Sequence, residues 1–475
     1  MHGLNLIGGE WREAKGMERM VVLDPADDAP VGSVPASGHL DVSVAIDGAQ
    51  RSLDEMKRLG LQTRIKIVQE ISRGIQSRRD EIAELITREQ GKPLSESQAE
   101  IDYAISFFDQ AVHDAACCQT EHIVVAGKHV AVHMRPIGVT GLILAWNFPL
   151  ALLAKKAAPA IIAGCPLLIK PSECTPLTTL IFGEIALAAG VPPKAISILT
   201  GLPDPIGKAM LGDARVRKVS FTGSTEVGRI LIRQSSDHMT KLSLELGGNA
   251  PFIVCADADI ESAVTMAVVS KFRNGGQTCI APNRFIIHES IHDDFVDCLC
   301  TEVSSLRSGR GLNPDVDLGP MISEYAIAKL ERHCDDMISQ GGIRRCGGAR
   351  RSIAGLADRF FEPTVITGLQ RTMLPWTEES FGPLCPVTPF SNIDEAVMKA
   401  NDTRYGLAAY ACTHDESVIE QLSRKLQSGV SGINDPGPAI ASVPMGGIGY
   451  SGYGREGGKW AFEPYLAAVT VSRRL

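Results

Sequence analysis

Strand-like and helix-like segments alternate without interruption between residues 138 and 234, and this order constrains the fold more than any other feature. Short apolar runs that are typical of buried strands lie at 138–145, 166–170, 196–200 and 216–222. Helix-length segments follow them at 149–164, 176–189, 205–211 and 224–234. Strands that alternate with helices form a parallel sheet that is covered on both faces. The segment therefore predicts an α/β fold with a doubly wound, Rossmann-like nucleotide-binding domain.

A second α/β unit is expected after Glu245, where the alternation restarts. Its predicted strands lie at 251–255, 284–288 and 386–390, and its predicted helices at 260–272 and 292–306. Two stretches fit neither unit. Apolar runs on both sides of a glycine turn predict a hairpin at 122–136, and a β-rich tail lies at 466–472. A chain of 475 residues is too long for a single core, so two or three domains are expected.

Composition and charge exclude several classes of protein. The hydrophobic fraction of 44% and the charged fraction of 21% are those of an ordinary soluble globular protein. A net charge of −8 gives no reason to expect a nucleic-acid or anionic-membrane partner. Polar residues interrupt the most apolar stretch, 141–169, which argues against a membrane span. The first 16 residues lack the apolar core of a signal peptide. Twelve cysteines without a CxxC spacing fit a reducing cytoplasm better than a disulfide scaffold or a zinc site.

Polar residues at the ends of predicted strands indicate a dinucleotide site. Lys170 and Glu173 lie just beyond a strand, at the edge where open α/β sheets bind ligands. A carboxylate there can accept hydrogen bonds from both ribose hydroxyls of NAD and would repel a 2′-phosphate, so NADP is disfavoured. Gly223 and Ser224 form a glycine turn at a helix amino terminus, which suits pyrophosphate. Taken alone, the first pair is more readily explained by a salt-bridged turn, and the second lacks the lysine of a P-loop.

Three further segments combine a polar side chain with an unusual backbone. Asn147 ends the first strand, Glu245 ends a later one, and Cys279 follows the pair Gly275–Gly276. Each has a structural explanation when taken singly. Asn147 could cap a helix, Glu245 could be ion-paired, and Cys279 could be a small buried hydrophobic residue. Only their combination can distinguish a catalytic site from three unrelated features.

Taken together, these segments resemble the aldehyde dehydrogenase superfamily in content and in order along the chain. The matching stretches are Glu89–Pro93, Trp146–Pro149, Lys170–Glu173, Phe221–Ser224, Glu245–Gly248, Gly276–Cys279, Glu378–Pro383 and Ser451–Glu456. The resemblance implies an NAD-binding domain (1–119 and 138–245), a catalytic α/β domain (246–430), a substrate-funnel loop (431–454) and a small β oligomerisation element (120–137 and 455–475). It also implies a homodimer or a homotetramer.

The resemblance implies roles for individual residues. Cys279 would attack the aldehyde carbon, the amides of Asn147 and Cys279 would hold the oxyanion, and Glu245 would activate water to hydrolyse the thioester. The coenzyme-A-acylating branch typically lacks that glutamate, so Glu245 predicts a free acid as product. Lys156 matches a lysine near the active site that positions groups or relays protons. The implied cofactor residues, with no metal, are Trp146, Lys170, Glu173, Gly223, Ser224, Leu246, Glu379 and Phe381.

The segment before the nucleophile indicates the substrate. Residues Ser270–Asn274 are similar to the succinate-semialdehyde dehydrogenase branch, in which the arginine matching Arg273 binds the distal carboxylate of the substrate. A planar guanidinium suits that role because it can donate two hydrogen bonds to a carboxylate. The second arginine of the branch is replaced here by Lys155, and its second cysteine by Ala281, so disulfide regulation is not expected. Ser442 lies in the segment expected to line the funnel.

The predicted function is therefore NAD-dependent oxidation of a short aldehyde with an acidic tail to the free acid, with succinate semialdehyde as the first candidate. Glutarate semialdehyde, a sulfonated aldehyde and an uncharged small aldehyde remain alternatives. A thiol esterase that uses Cys279 without a cofactor would explain the cysteine and the glutamate but not Lys170, Glu173 or Glu379. A catalytically inactive relative would have no need for the complete catalytic set.

Overall fold

The structure is a computed structural model that describes residues 2–475. The amino-terminal part supplies edge strands and a layer of helices. Its strands are β1 (Asn5–Ile7), β2 (Glu10–Arg12), β3 (Arg19–Leu23) and β4 (Pro30–Pro35), and its helices are α1 (His39–Arg58), α2 (Gly60–Ser77), α3 (Arg79–Gln90) and α4 (Leu94–His113). Strands β3 and β4 pair only with each other. Helices α2 and α4 pack against the next α-helix of the chain, α5 (Pro149–Ala163), and so bury one side of the first sheet.

The middle part contains every element predicted between 138 and 234. It follows the hairpin β5 (Glu121–Val125) and β6 (Lys128–Pro136), and its elements are β7 (Val139–Ile143), α5 (Pro149–Ala163), β8 (Leu167–Lys170), α6 (Pro176–Ala188), β9 (Ile196–Ile198), α7 (Pro203–Leu211), β10 (Val216–Thr222), α8 (Thr225–Ser235) and β11 (Lys241–Glu245). Three of the four helices start with a proline, whose fixed φ suits the first helical turn. All 15 residues of α5 are buried, in agreement with its apolar sequence.

The first sheet has a reversal in strand order that creates a ligand crevice. Its parallel strands lie in the order β9-β8-β7-β10-β11, flanked by antiparallel edge strands. The chain therefore adds β8 and β9 on one side of β7, crosses back, and places β10 and β11 on the other side of β7. Open α/β sheets bind ligands outside the carboxyl ends of the strands at such a point. The predicted doubly wound domain is confirmed.

The second α/β unit has its own sheet of seven strands. Its elements are β12 (Ala250–Val254), α9 (Ile260–Phe272), β13 (Pro282–His288), α10 (His292–Ser305), α11 (Glu324–Ser339), β14 (Ile343–Cys346), β15 (Arg350–Arg351), β16 (Phe360–Phe361), β17 (Thr364–Thr367), α12 (Leu374–Thr377), β18 (Leu384–Phe390), α13 (Ile393–Asn401), β19 (Ala408–Cys412), α14 (Glu416–Lys425) and β20 (Val430–Ile433). The sheet order is β14-β17-β18-β13-β12-β19-β20, parallel except at β14. The pair β15 and β16 stands apart.

The last two strands of the chain belong to two different sheets. Strand β21 (Gly452–Tyr453) pairs with β11. Strand β22 (Leu466–Arg474) pairs antiparallel with β6, and β5 completes a three-stranded sheet whose outer strands are almost entirely exposed. The hairpin and the tail that fit neither α/β unit are therefore neighbours in space. The domain boundaries stay predictions, and β20 shows that the loop predicted for 431–454 begins with residues of the second sheet.

Within residues 2–475, no helix combines the length and the apolar character that a membrane span requires.

Candidate active site

A cavity of about 340 Å³ lies where the carboxyl ends of β7, β10 and β11 face the second α/β unit. Segments that are far apart in the sequence meet in its wall. Eleven of the fifteen predicted site residues line it, namely Trp146, Asn147, Lys155, Gly223, Ser224, Glu245, Leu246, Arg273, Cys279, Glu379 and Phe381. The wall thus contains the predicted nucleophile, base and oxyanion donor together with most of the predicted cofactor residues.

The other four predicted residues lie outside the cavity wall. Lys156 is fully buried behind it and contacts the wall residue Glu456. Lys170 and Glu173 follow β8, the neighbour of β7, and form an ion pair of 3.0 Å. Ser442 is exposed and is not part of the cavity wall. The expectation that Ser442 lines the substrate funnel therefore has no support from this cavity.

The loop that carries Cys279 leaves α9 through a left-handed turn. Asn274, Gly275 and Gly276 have φ values of 53°, 60° and 76°, a region that asparagine and glycine adopt most readily. A side chain at Gly276 would also overlap the carbonyl oxygen of Gly382. The glycine pair before the cysteine is therefore required both by the turn and by close packing against the loop that follows Glu379.

Asn147 forms hydrogen bonds through both its backbone and its side chain. Its Nδ2 donates to the carbonyl of Gln277 at 3.0 Å, and its own carbonyl accepts from Lys92 Nζ at 2.6 Å and from Asn274 Nδ2 at 3.1 Å. An amide nitrogen carries two hydrogens, so one N–H of Asn147 remains for a ligand. These contacts tie the end of β7 to the cysteine loop, as an oxyanion site shared by Asn147 and Cys279 requires.

Cys279 is a protonated thiol in this environment. Burial raises the pKa of Cys279 to about 12, and the carboxyl groups of Glu379 and Glu245 add to the rise, whereas Lys155 and Arg273 oppose it. The nucleophilic form of cysteine is the thiolate. Because Lys155 is the largest of the opposing influences, it is the charge best placed to stabilise the thiolate once a proton has been removed.

Glu245 ends β11 and lies almost completely buried in the cavity wall. Burial, reinforced by the carboxylate of Glu456, raises the pKa of Glu245 well above its usual range, while Lys156 and Lys155 lower it. Glu456 forms a buried ion pair with Lys156, which also donates to Ser220 Oγ at 3.2 Å. A carboxylate with a raised pKa in a cleft is suited to general base catalysis near neutral pH.

Glu456 is a functional candidate to which the sequence analysis gave no role. It is the last residue of the matching stretch Ser451–Glu456, so an acidic residue after a glycine-rich loop was the available signal. Its partner Lys156 lies 300 positions earlier in the chain, and no local pattern connects the two. Tyr103 and Met445, which also line the cavity, had no distinguishing sequence context.

The remaining wall residues fit a dinucleotide. Glu379 Oε1 accepts from the Gly248 amide at 3.0 Å, and burial raises the pKa of Glu379 to about 7. The rings of Trp146 and Phe381 meet edge to face at 5.7 Å. Ser224 caps α8, accepting from the amide of Val227, and brings the amino terminus of that helix to the cavity. A helix amino terminus suits pyrophosphate and a carboxylate suits ribose hydroxyls, so these residues can hold a nicotinamide dinucleotide.

Three cationic residues, Lys155, Arg273 and Lys329, line the cavity without a carboxylate at salt-bridge distance. Lys155 is buried, and its Nζ lies 3.1 Å from the sulfur of Met445 and about 5 Å from the ring centroids of Tyr103 and Phe107. Although burial lowers it, the pKa of Lys155 is raised overall by Tyr103 and by the nearby carboxyl and thiol groups. The Arg273 guanidinium lies 5.5 Å from the Phe148 ring. An anionic group in the cavity would therefore meet the buried cation Lys155 and, on the exposed side of the wall, Arg273.

This fold and this site define the class of protein. The aldehyde dehydrogenase family matches residues 11–471, and the chain belongs to that family. It is therefore an aldehyde dehydrogenase, an enzyme class that uses nicotinamide cofactors.

Three similar proteins are informative. The chain is 41% identical to the NADP(+) succinate-semialdehyde dehydrogenase GabD of Escherichia coli over 463 residues, which cover 97% of this chain and 95% of that protein. It is 39% identical to a glutarate-semialdehyde dehydrogenase of Pseudomonas putida, with coverage of 97% and 95%. The crystal structure of succinate-semialdehyde dehydrogenase from Burkholderia pseudomallei superposes with a TM-score of 0.97 at 40% identity, covering 100% of this chain and 98% of that one.

Proposed function

We propose that this enzyme oxidises a short aldehyde with an acidic tail to the free carboxylic acid, with succinate semialdehyde as the first candidate. The observation that carries the proposal is Lys155, a buried cation that shares a cavity wall with Cys279 and has no carboxylate at salt-bridge distance. The exposed side chain of Arg273 adds a second positive charge to the same wall. Burying the Lys155 cation without an ion-pair partner costs free energy, and a carboxylate bound beside it would recover part of that cost. The similarity to succinate- and glutarate-semialdehyde dehydrogenases supports the same substrate class.

The catalytic sequence follows from the residues of the cavity wall. The Cys279 thiolate attacks the aldehyde carbon, and the charge that develops on the oxygen is stabilised by the side-chain amide of Asn147 and the backbone amide of Cys279. A nicotinamide cofactor held by Ser224, Glu379 and Phe381 would supply a hydride acceptor, and loss of the hydride from the carbon bonded to Cys279 leaves a thioester. Glu245 then removes a proton from the water that hydrolyses the thioester on Cys279, and the acid leaves. The Lys156–Glu456 pair beside Glu245 sets how readily that carboxylate takes up a proton.

We propose NAD as the preferred cofactor because of Glu173. Its side chain is 37% exposed beyond β8, where a carboxylate repels a 2′-phosphate. NADP is the second candidate, since Lys170 adjoins the same position and the Escherichia coli relative carries NADP(+) in its name. Comparing kcat/KM for the two cofactors tests the choice. Glu173→Ala should shift the ratio towards NADP, and a wild type that prefers NADP would refute the proposal.

The decisive experiment for the reaction is NADH and NADPH production across a panel of aldehydes. The panel should contain succinate, glutarate and sulfonated semialdehydes together with uncharged aldehydes of the same length. Succinate semialdehyde should give the highest kcat/KM, and Cys279→Ala should abolish turnover. Full turnover by Cys279→Ala would reject the mechanism, and equal efficiency for uncharged aldehydes would reject the acidic tail. Ester hydrolysis without any dehydrogenase activity would favour a thiol esterase.

The role of Arg273 can be tested separately from folding. Arg273→Leu should raise KM about tenfold or more for acidic aldehydes, the loss expected for one charge-assisted hydrogen bond, and leave uncharged aldehydes unchanged. A matched control is Arg371→Leu, which removes an exposed arginine outside the cavity wall. Equal losses for all aldehydes in the Arg273 variant would contradict a role in binding the acidic group.

We also propose a homodimer or homotetramer in the cytoplasm. The exposed outer strands β5 and β22 present unpaired backbone groups of the kind that sheets use to pair between subunits. All twelve cysteines are free, which suits a reducing compartment. Light scattering on the purified protein tests the oligomer, and a monomer at micromolar concentration would contradict it.

A further inference from the structure

The loop that presents Glu379 to the cavity is strained. Phe381 adopts a φ of 54°, in the left-handed region that an aromatic residue rarely occupies. Such a conformation persists only when its surroundings hold it in place. The contacts that hold this loop therefore determine where the Glu379 carboxylate lies.

Asn283 forms hydrogen bonds with the backbone on both sides of Glu379. Its Nδ2 donates to the carbonyl of Glu378 at 3.1 Å, and its Oδ1 accepts from the amide of Ser380 at 2.8 Å. The same side-chain nitrogen also donates to the carbonyl of Pro375 in α12, the helix before the loop, at 3.1 Å. Asn283 is buried in β13 and does not line the cavity.

His333 forms hydrogen bonds with the side chains on both sides of Glu379. It is fully buried on α11, with Nδ1 3.2 Å from Ser380 Oγ and Nε2 3.2 Å from the Glu378 carboxylate. Burial lowers the pKa of His333 to about 4, so the ring is neutral at physiological pH. A carboxylate can only accept, so Nε2 donates to Glu378 and Nδ1 accepts from the Ser380 hydroxyl. The neutral ring thereby forms one hydrogen bond with Ser380 and one with Glu378.

We infer that His333 and Asn283 are positioning residues for cofactor binding: together they fix the strained loop so that Glu379 meets the nicotinamide-side ribose hydroxyls. The inference rests on the proposed cofactor role of Glu379. Neither residue faces the cavity, so neither contacts the substrate or the reacting atoms. Their effect should be confined to cofactor affinity, with the thiol chemistry of Cys279 left intact.

The test measures cofactor binding directly as well as turnover. Equilibrium binding of NAD to the wild type, His333→Ala, His333→Gln and Asn283→Asp can be followed by calorimetry. Asn283→Asp keeps the acceptor for the Ser380 amide and loses the side-chain donor to the carbonyls of Glu378 and Pro375. The matched control is Arg332→Ala, which removes the other, exposed partner of the same Glu378 carboxylate. Alkylation of Cys279 by iodoacetamide without cofactor reports whether the catalytic loop is intact.

The expected results distinguish positioning from general structural damage. His333→Ala and Asn283→Asp should weaken NAD binding about tenfold or more, because each removes at least one good hydrogen bond to the loop, and should raise KM for NAD without raising KM for the aldehyde. His333→Gln, which can both donate and accept, should recover part of the affinity, and Arg332→Ala should bind NAD like the wild type. Alkylation rates should be equal in all variants.

Two kinds of result would overturn the inference. Wild-type affinity for NAD in Asn283→Asp and His333→Gln, together with wild-type affinity in His333→Ala if that variant folds, refutes the positioning role. Parallel increases in KM for cofactor and aldehyde with altered alkylation refute it as well, because they indicate general disruption. A wild type that binds no dinucleotide and oxidises no aldehyde refutes the proposed function itself, a result that is distinct from the other two.

Discussion

Replacing Glu456 by glutamine should move the pH dependence of the enzyme to lower pH. Burial and the Glu456 carboxylate hold the pKa of Glu245 above its usual range, and Lys156 counteracts them. The substitution removes a negative charge next to Glu245 and leaves the buried Lys156 cation without its carboxylate partner. Both changes favour the ionised form of Glu245, so its pKa should fall although its burial is unchanged.

The size of the shift follows from the range of charge effects on pKa. A like charge within about 4–6 Å changes a pKa by about 1–3 units, and one unit corresponds to about 1.4 kcal/mol. We therefore expect the acidic limb of kcat to move down by about 1–2 units. Because the ionised Glu245 is the active base, a lower pKa extends activity to lower pH.

The assay is kcat for the preferred aldehyde between pH 5 and 9, with the rapid first turnover recorded separately. If Glu245 acts in hydrolysis, the acidic limb of the pH profile should shift for steady-state turnover but not for the rate of the first NADH release. Glu463→Gln serves as the control, because it removes an exposed carboxylate paired with Lys241. An acidic limb in Glu456→Gln that stays in place, or that moves to higher pH, would refute the electrostatic reasoning.

Three further predictions concern hydrolysis, folding and the cysteine loop. Glu245→Gln should release one NADH per subunit rapidly and then turn over slowly in stopped-flow measurements; equal losses in both phases would contradict a purely hydrolytic role. Glu100→Ala should destabilise the fold by about 3–5 kcal/mol in urea unfolding, because it leaves Lys92 buried and unpaired and removes the acceptor for two amides at the start of α5. Replacing Glu100 and Lys92 together by glutamine and methionine should recover part of that loss, and a double variant no more stable than the single one would count against the explanation. Gly276→Ala should lower activity, because the added methyl group overlaps the Gly382 carbonyl; wild-type kcat would rule out this close packing.

Local structure was highly predictable in this chain. The helix predicted at 260–272 is observed at Ile260–Phe272, and the strand predicted at 216–222 is observed at Val216–Thr222. Such elements are encoded by neighbouring residues, namely an apolar run bounded by glycine, proline or capping side chains. The ends of these strands carried the polar residues that indicated a site.

The electrostatics of the site were not predictable in the same way. No sequence pattern near Glu245 indicates that its pKa is raised. After burial, the largest contribution to that rise comes from the carboxylate of Glu456, which lies more than 200 positions later in the chain. Ser442 stays a predicted funnel residue. Its place in the chain suggested the substrate funnel, yet it lies exposed outside the cavity wall.

The sequence by itself determined the α/β architecture, the order of the segments that build the site, and the resemblance to aldehyde dehydrogenases, because periodicity and short motifs are properties of neighbouring residues. Only the tertiary structure decided which of those residues meet. It set Lys155 and Arg273 in one wall with Cys279, paired Lys156 with Glu456, and placed His333 beneath the loop of Glu379. Charge and hydrogen bonding depend on distances of a few ångströms in space, which separation along the chain does not specify.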